Sequence, residues 1–285
     1  MFPTSFVLFT AFTVVLGAPS KFLRPRTAPA TLTALTTADL DALDSFTQFA
    51  RAAYCPVDKL MSWSCGEACD ANPDFEATLA GGMGNAVQFF FVGYYPKSNS
   101  GGLNSTLFPN APAGLKIHSG FRDEHQLTAD EIRTEVQRLI ADKGAKQVTV
   151  VGHSLGGALA ELDALSLRLQ LPQDIGVNAV TFGTPRVGTS DFVKFFDSQV
   201  TDFKRVNNEN DLVPIVPGRF LGFAHPQGEI HIVDDDTKEI VACPGNDNAD
   251  EEKCQIKTVP SILSGNIIHH LGPYNGIFIG SLFCN

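Results

Sequence analysis

The passage from Val148 to Ala160, VTVVGHSLGGALA, leaves this chain few architectures. A β-branched run enters a turn at Val151, the turn reads Gly152-His153-Ser154-Leu155-Gly156, and strong helix formers leave it at once. A bare GxSxG arises by chance roughly once in ten chains of this length, since Gly and Ser are each common. The strand-turn-helix setting gives it meaning. A sharp turn lifts a serine above the end of a buried strand, and flanking glycines keep the backbone clear of itself. The helix N-terminus that follows favours a developing negative charge. Ser154 is therefore a candidate nucleophile.

The surrounding pattern extends the same plan. Ala86 to Val92 and Val177 to Phe182 are continuous apolar runs, which suit strands covered on both faces. Between the first run and the serine turn, Ile132, Val136, Leu139 and Ile140 recur at helical spacing within Thr128 to Lys143; after it, Leu155 to Leu169 is rich in Ala and Leu. Strands alternating with helices predict crossover connections, hence an α/β fold with a mostly parallel central sheet and helices on both faces. From Thr37, a helical face of Leu40, Leu43, Phe46, Ala50 and Tyr54 opens behind a Thr cap and ends at Cys55-Pro56. Past Val200 the strands shorten to Phe203–Val206, Glu229–Val233 and Glu239–Ala242, the last two joined by a solvated turn at Asp234-Asp235-Asp236. Neither linker nor repeat divides residues 37–285, which read as one domain.

The first residues look like an address. Phe6 to Leu16 is apolar but too short to span a bilayer, and Gly17-Ala18 follows, so residues 1–18 are expected to be a signal peptide. Residues 19–36, rich in Pro, Ala and Thr, are expected to be a flexible pro-segment or N-terminal extension. Six cysteines in 285 residues fit a secreted protein with three bridges. With 21 basic against 31 acidic residues, the net charge of -10 argues against nucleic acid and anionic membranes as partners. A transmembrane segment, a zinc spacing and a phosphate loop are all unsignalled, so neither metal nor cofactor is expected.

A serine nucleophile needs a base, and with this type of turn the chain order is Ser, then Asp or Glu, then His. That order sets aside His118 and His125; His153 is expected to pack beside the turn. His225, His231, His269 and His270 remain. His225 sits in an apolar stretch and His231 alternates within a strand, where structural roles are commoner. His269 and His270 share a late loop, and the residues alone do not choose between them. Among the acids Asp211 is best placed, in a polar turn just past a strand end, where catalytic groups of open α/β sheets sit.

Taken together these motifs resemble the class 3 fungal lipases, a family that also holds feruloyl esterases. The resemblance rests on Ile117-His118-Ser119-Gly120-Phe121, VVGHSLGG at 150–157, TFGTPRVG at 181–188, VNNENDLVP at 206–214, Gly222-Phe223-Ala224-His225, and His270-Leu271 ahead of Tyr274 and Gly276. It implies an α/β-hydrolase fold with Ser154, Asp211 and His270 as triad, a structural His225, and His269 where such proteins often carry another polar residue. It also suggests the pairs Cys55–Cys284, Cys65–Cys69 and Cys243–Cys254. The first oxyanion residue, usually Ser or Thr, falls on Tyr94; its amide with that of Leu155 would form the hole.

The chemistry implied is ester hydrolysis through an acyl-serine, by a secreted monomer acting on acylglycerols with transient contact at a lipid-water interface. Val213, Pro217, Phe220, Leu221 and Leu271 are the acyl-groove candidates. The lid, by resemblance, falls on Tyr95 to Pro112, where only Leu103, Leu107 and Phe108 offer an apolar patch amid Ser, Asn and Gly. So polar a segment is a poor interfacial helix, which keeps a feruloyl or short-chain esterase as the alternative. It also carries a sequon, Asn104-Ser105-Thr106, a candidate glycosylation site. A non-catalytic binding protein on the same fold is the remaining alternative.

Overall fold

The computed structural model describes residues 7–9, 12–16, 31–80, 87–89 and 100–283. Seven strands form the central sheet, in the spatial order Phe12–Leu16, Gln147–His153, Gly176–Phe182, Phe203–Asn208, Glu229–Asp234, Glu239–Ala242 and Thr33–Ala34. The four strands from Gln147–His153 to Glu229–Asp234 run parallel. Both flanks are antiparallel. The polypeptide past 200 forms the strands expected of it, each within two residues of its sequence bounds.

Helix Leu155–Gln170 lies in the centre, buried along almost its whole length. Its Ala-rich surface permits this, since short side chains let a helix approach the sheet on one side and a second helix on the other. The second helix, Ser119–Lys143, starts nine residues before the periodic stretch that announced it and packs on the first through Ala129 and Val136. On the opposite face, Leu40, Leu43, Phe46, Phe49 and Ala50 pack against Val151, Val180, Phe182 and Val206. Their helix is broken in two, Thr37–Asp41 and Asp44–Ala52, and the first piece opens on a capping box between Thr36 and Asp39.

The place beside the strand that leads to Ser154 is taken by Phe12–Leu16, part of the expected signal peptide. Val87–Phe89, the described part of the apolar run at 86–92, pairs instead with Val7–Phe9 in a separate two-stranded sheet. The signal peptide's cleavage region and most of the pro-segment lie outside the described residues. Among the described residues, no helix is long and apolar enough to cross a membrane.

Of the segment read as a lid, Tyr95 to Asn99 lie outside the described residues, and Ser100 to Pro112 differ from expectation. Ser100–Gly102 pairs with Lys116–His118 in a four-stranded side sheet, and Leu107 and Phe108 sink into the main core at 4% and 2% exposure. The Leu107 carbonyl accepts hydrogen bonds from Ser166 Oγ (2.7 Å) and Gln170 Nε2 (3.0 Å) of the central helix. These side chains anchor the segment; they are not free to turn toward lipid. Phe108→Ala is accordingly expected to cost about 3 to 5 kcal/mol of stability, the usual range for emptying a buried Phe site. Chemical denaturation checks this, and a loss under about 1 kcal/mol would return Phe108 to the lid.

Disulfides join Cys65 to Cys69 and Cys243 to Cys254. Cys55 is also disulfide-bonded; Cys284 lies outside the described residues.

Candidate active site

The turn after the Gln147–His153 strand holds Ser154 at φ 59°, ψ -128°, outside the regions that L-residues favour. Packing imposes that conformation. A Cβ on Gly152 would be driven into the Gly156 carbonyl, and one on Gly157 into the Thr184 hydroxyl. The Ser154 amide donates to Phe182 O at 3.0 Å, which pins the turn to the neighbouring strand. Leu155 is the first residue of the helix, so its N–H is among the amides a helix leaves unpaired.

A strand end and a 3-10 turn converge here. Asp211 follows the Phe203–Asn208 strand, and His270 lies on the 3-10 turn Ile267–Leu271. Both are fully buried, as is Ser154. His270 Nδ1 donates to Asp211 Oδ2 at 2.8 Å. The other carboxylate oxygen accepts from Val213 N at 2.8 Å, and Gln255 Nε2 donates to the Asp211 carbonyl at 2.7 Å, so the acid is held from three directions. Holding Nδ1–H on a carboxylate leaves Nε2 as the basic nitrogen. Among the described residues, His270 Nε2 and Ser154 Oγ are both buried without a hydrogen-bond partner. Such bonds are often long before substrate arrives and tighten with it.

His153, expected only to pack, does more. Its ring lies 4.5 Å from that of His270, and its Nε2–H donates to the His270 carbonyl at 2.7 Å. The Tyr54 hydroxyl donates to His153 Nδ1 at 2.6 Å, and Tyr274 OH donates to the same His270 carbonyl at 3.1 Å. Burial, with the charge that His270 gains, pushes the His153 pKa well below the usual imidazole value. The imidazole beside the base is thus kept neutral. The sequence placed Tyr54 on a helical face and Gly183 within the TFGTPRVG motif but gave neither a role at the site; His153 was marked by standing next to the serine.

The remaining histidines separate by contact. His225 Nε2–H donates to Pro214 O at 2.8 Å, and burial next to Arg205 lowers its pKa well below the usual value. His231 is bound to the Glu209 and Lys253 carbonyls, and His125 pairs with Asp163 between the two long helices. His269 is turned toward Glu209 and Asn210, away from Asp211. Of the groove candidates, Val213 is fully buried, Pro217 and Leu271 are partly so, while Phe220 is 81% exposed and Leu221 37%. Asn104 is partly exposed, with its side chain accepting from Thr106 N. Tyr94 lies outside the described residues. Among the described residues, the one clustering of acid and sulfur, Glu229 with Cys243 and Cys254, involves a disulfide, whose sulfurs are not thiolate ligands.

Residues 91–221 match the family described as Lipase (class 3). A secreted mono- and diacylglycerol lipase LIP1 of Malassezia globosa is 35% identical over 138 residues, 48% of this chain and 45% of that protein. The secreted mono- and diacylglycerol lipase LIP2 of Malassezia restricta is 31% identical over 177 residues, 62% and 54% of the two chains. This chain therefore spans about half the length of the curated relatives it matches. The structure of a lipase from Rhizopus microsporus var. chinensis superposes with a TM-score of 0.65 at 25% identity, covering 94% of this chain and 97% of that one. The Rhizomucor miehei lipase in its propeptide complex gives 0.68 at 24% identity, with 94% and 90% covered. Over residues 91–221 the sequence is thus similar to the class 3 lipases, and over nearly the whole chain the fold is the α/β-hydrolase fold of the fungal lipases.

Proposed function

We propose that this protein is a secreted, monomeric carboxylic-ester hydrolase that cleaves acylglycerols through Ser154, His270 and Asp211. The observation that carries the reading is the fully buried Asp211–His270 pair, whose free Nε2 accompanies an elbow serine with an equally unpaired Oγ. His270 Nε2 takes the Ser154 proton as Oγ attacks the ester carbonyl, and Asp211 stabilises the imidazolium. The tetrahedral oxyanion is met by the Leu155 amide and, on the resemblance, that of Tyr94. Collapse expels the alcohol, which takes the proton from Nε2. Water, deprotonated by the same nitrogen, then releases the acid.

Acylglycerol as substrate is supported by the names of the Malassezia relatives and by the net charge of -10, which favours uncharged glycerides over anionic lipids. Export is supported by the apolar run at 6–16 and by the disulfides. Mono-, di- and triacylglycerol emulsions assayed beside a feruloyl ester and a p-nitrophenyl ester series test the reading. Turnover of glycerides is expected; preference for the feruloyl ester would move the chain to the esterases, and turnover of none would leave a binding protein.

With Leu107 and Phe108 committed to the core, little apolar surface between Ser100 and Pro112 remains to meet lipid. Rate on a soluble ester is therefore expected to rise smoothly through the substrate's solubility limit. A sharp jump there would contradict the anchored segment.

A further inference from the structure

The loop that carries Asp211 and the turn that carries His270 are separate pieces of chain, and their relative placement sets the 2.8 Å contact between acid and base. Among the described residues, half of the bonds that join the two pieces at any one time run through one residue, His269. Its carbonyl accepts from Asn208 Nδ2 at 3.0 Å. Its Nδ1 faces two groups of the acid loop at once, the Asn210 N–H at 3.2 Å and Glu209 Oε2 at 2.8 Å. Asn266 N adds a bond to Asn210 O at 2.7 Å.

An imidazole nitrogen serves one such partner at a time. With the proton on Nδ1 it donates to the Glu209 carboxylate; with the proton on Nε2 the Nδ1 lone pair accepts from Asn210 N–H. Either tautomer ties His269 to the acid loop. Glu209 is itself a firm post. It sits at φ 42°, its N–H donates to Ile232 O at 2.7 Å, its carbonyl accepts from His231 Nε2 at 2.9 Å, and its Oε1 accepts from Asp235 N at 3.3 Å. It is thereby fastened to the next strand of the sheet, Glu229–Asp234.

We infer that His269, braced by Glu209, is a positioning residue: it holds the turn bearing His270 in register with the loop bearing Asp211. The side chain is 24% exposed and its ring meets Glu209 and Asn210, neither of them a member of the proposed triad. Its effect is on the geometry of its neighbour in the chain. The inference rests on the triad reading proposed above.

The test uses the full-length secreted protein with His269→Ala, His269→Asn and Glu209→Gln, read in two ways. Kinetics on a soluble p-nitrophenyl ester are expected to give about a tenfold fall in kcat for His269→Ala at nearly constant KM, because the base is misplaced and binding is not. His269→Asn, whose amide can accept from Asn210 or donate to Glu209, and Glu209→Gln, which keeps an acceptor oxygen, are expected to recover most of that loss. The second reading is the far-downfield proton resonance of the His270 Nδ1–H bonded to Asp211. It is expected in the native protein, broadened or shifted in His269→Ala, and restored in His269→Asn. Should His269→Ala not fold, failure of Asn to restore the native resonance and kcat overturns the inference by itself. Full kcat with an unchanged resonance in His269→Ala overturns it too. A native protein that hydrolyses no ester would defeat the triad reading, and the resonance series would still decide the role of His269.

Discussion

Ser154→Ala is expected to lower kcat on any accepted ester by about 10⁴-fold or more while leaving the fold intact, since the covalent step is lost and only binding and oxyanion contacts remain. The hydroxyl has no hydrogen-bond partner among the described residues, so its removal breaks nothing structural. Alanine inherits the same unfavourable φ of 59°, and stability is expected to stay within about 0.5 kcal/mol of the native protein. Ser154→Gly separates the two roles of this position. It is equally inactive but relieved of backbone strain, and a gain of about 1 kcal/mol in stability is expected. Hydrolysis by either variant above about 1% of native would remove Ser154 from the mechanism.

Gly183→Ala is the second large effect, and it arises without touching a reacting group. Gly183 follows the Gly176–Phe182 strand at φ 53°, with its amide bound to Val206 O at 2.9 Å. A Cβ there would lie 2.7 Å from His270 Nδ1 and 2.8 Å from both Asp211 Oδ2 and His270 Cε1. It would press on the hydrogen bond that orients the base. Loss of that bond is expected to reduce kcat about 10³- to 10⁴-fold, as in serine hydrolases deprived of a working acid. The positive φ adds a stability loss of about 1 kcal/mol or more. Circular dichroism and steady-state kinetics on the same preparation check both effects. A fall in kcat of less than about tenfold would mean that acid and base do not depend on each other as their 2.8 Å contact implies.

How far the candidate site was legible in the sequence depends on which residues speak through local pattern. Ser154 does, because strand, turn and helix signals are contiguous and the chemistry needs that turn. Asp211 was legible as a polar residue just beyond a strand end. His270 was not separable from His269 by composition or spacing; the resemblance chose it, and the structure places His270 on Asp211 and His269 on the other side of the same loop. The roles of Gly183 and Tyr54, one within the TFGTPRVG motif and the other on the predicted helical face, stayed hidden because they lie in contacts between distant segments: Gly183 as a gap that Asp211 and His270 fill, Tyr54 through a hydroxyl reaching across 99 positions to His153.

The same distinction applies to the fold. Parallel strands and the central helix declared themselves by continuous apolar runs and Ala-rich sequence. The break after Asp41 lay hidden inside an uninterrupted helical pattern. Leu107 and Phe108 were read as the apolar patch of a lid that the resemblance places at Tyr95 to Pro112, amid Ser, Asn and Gly. Their destination is instead the core, alongside Val136 and the central helix, a long-range contact that local polarity conceals.

The most direct measurement is intact and peptide mass spectrometry after exposure to a serine-directed fluorophosphonate. The account predicts a single adduct on the peptide containing Ser154 in the native protein, no adduct in Ser154→Ala, and labelling slowed about a hundredfold or more in His270→Ala and Gly183→Ala. An adduct on another residue, or native labelling rates without His270, would contradict it.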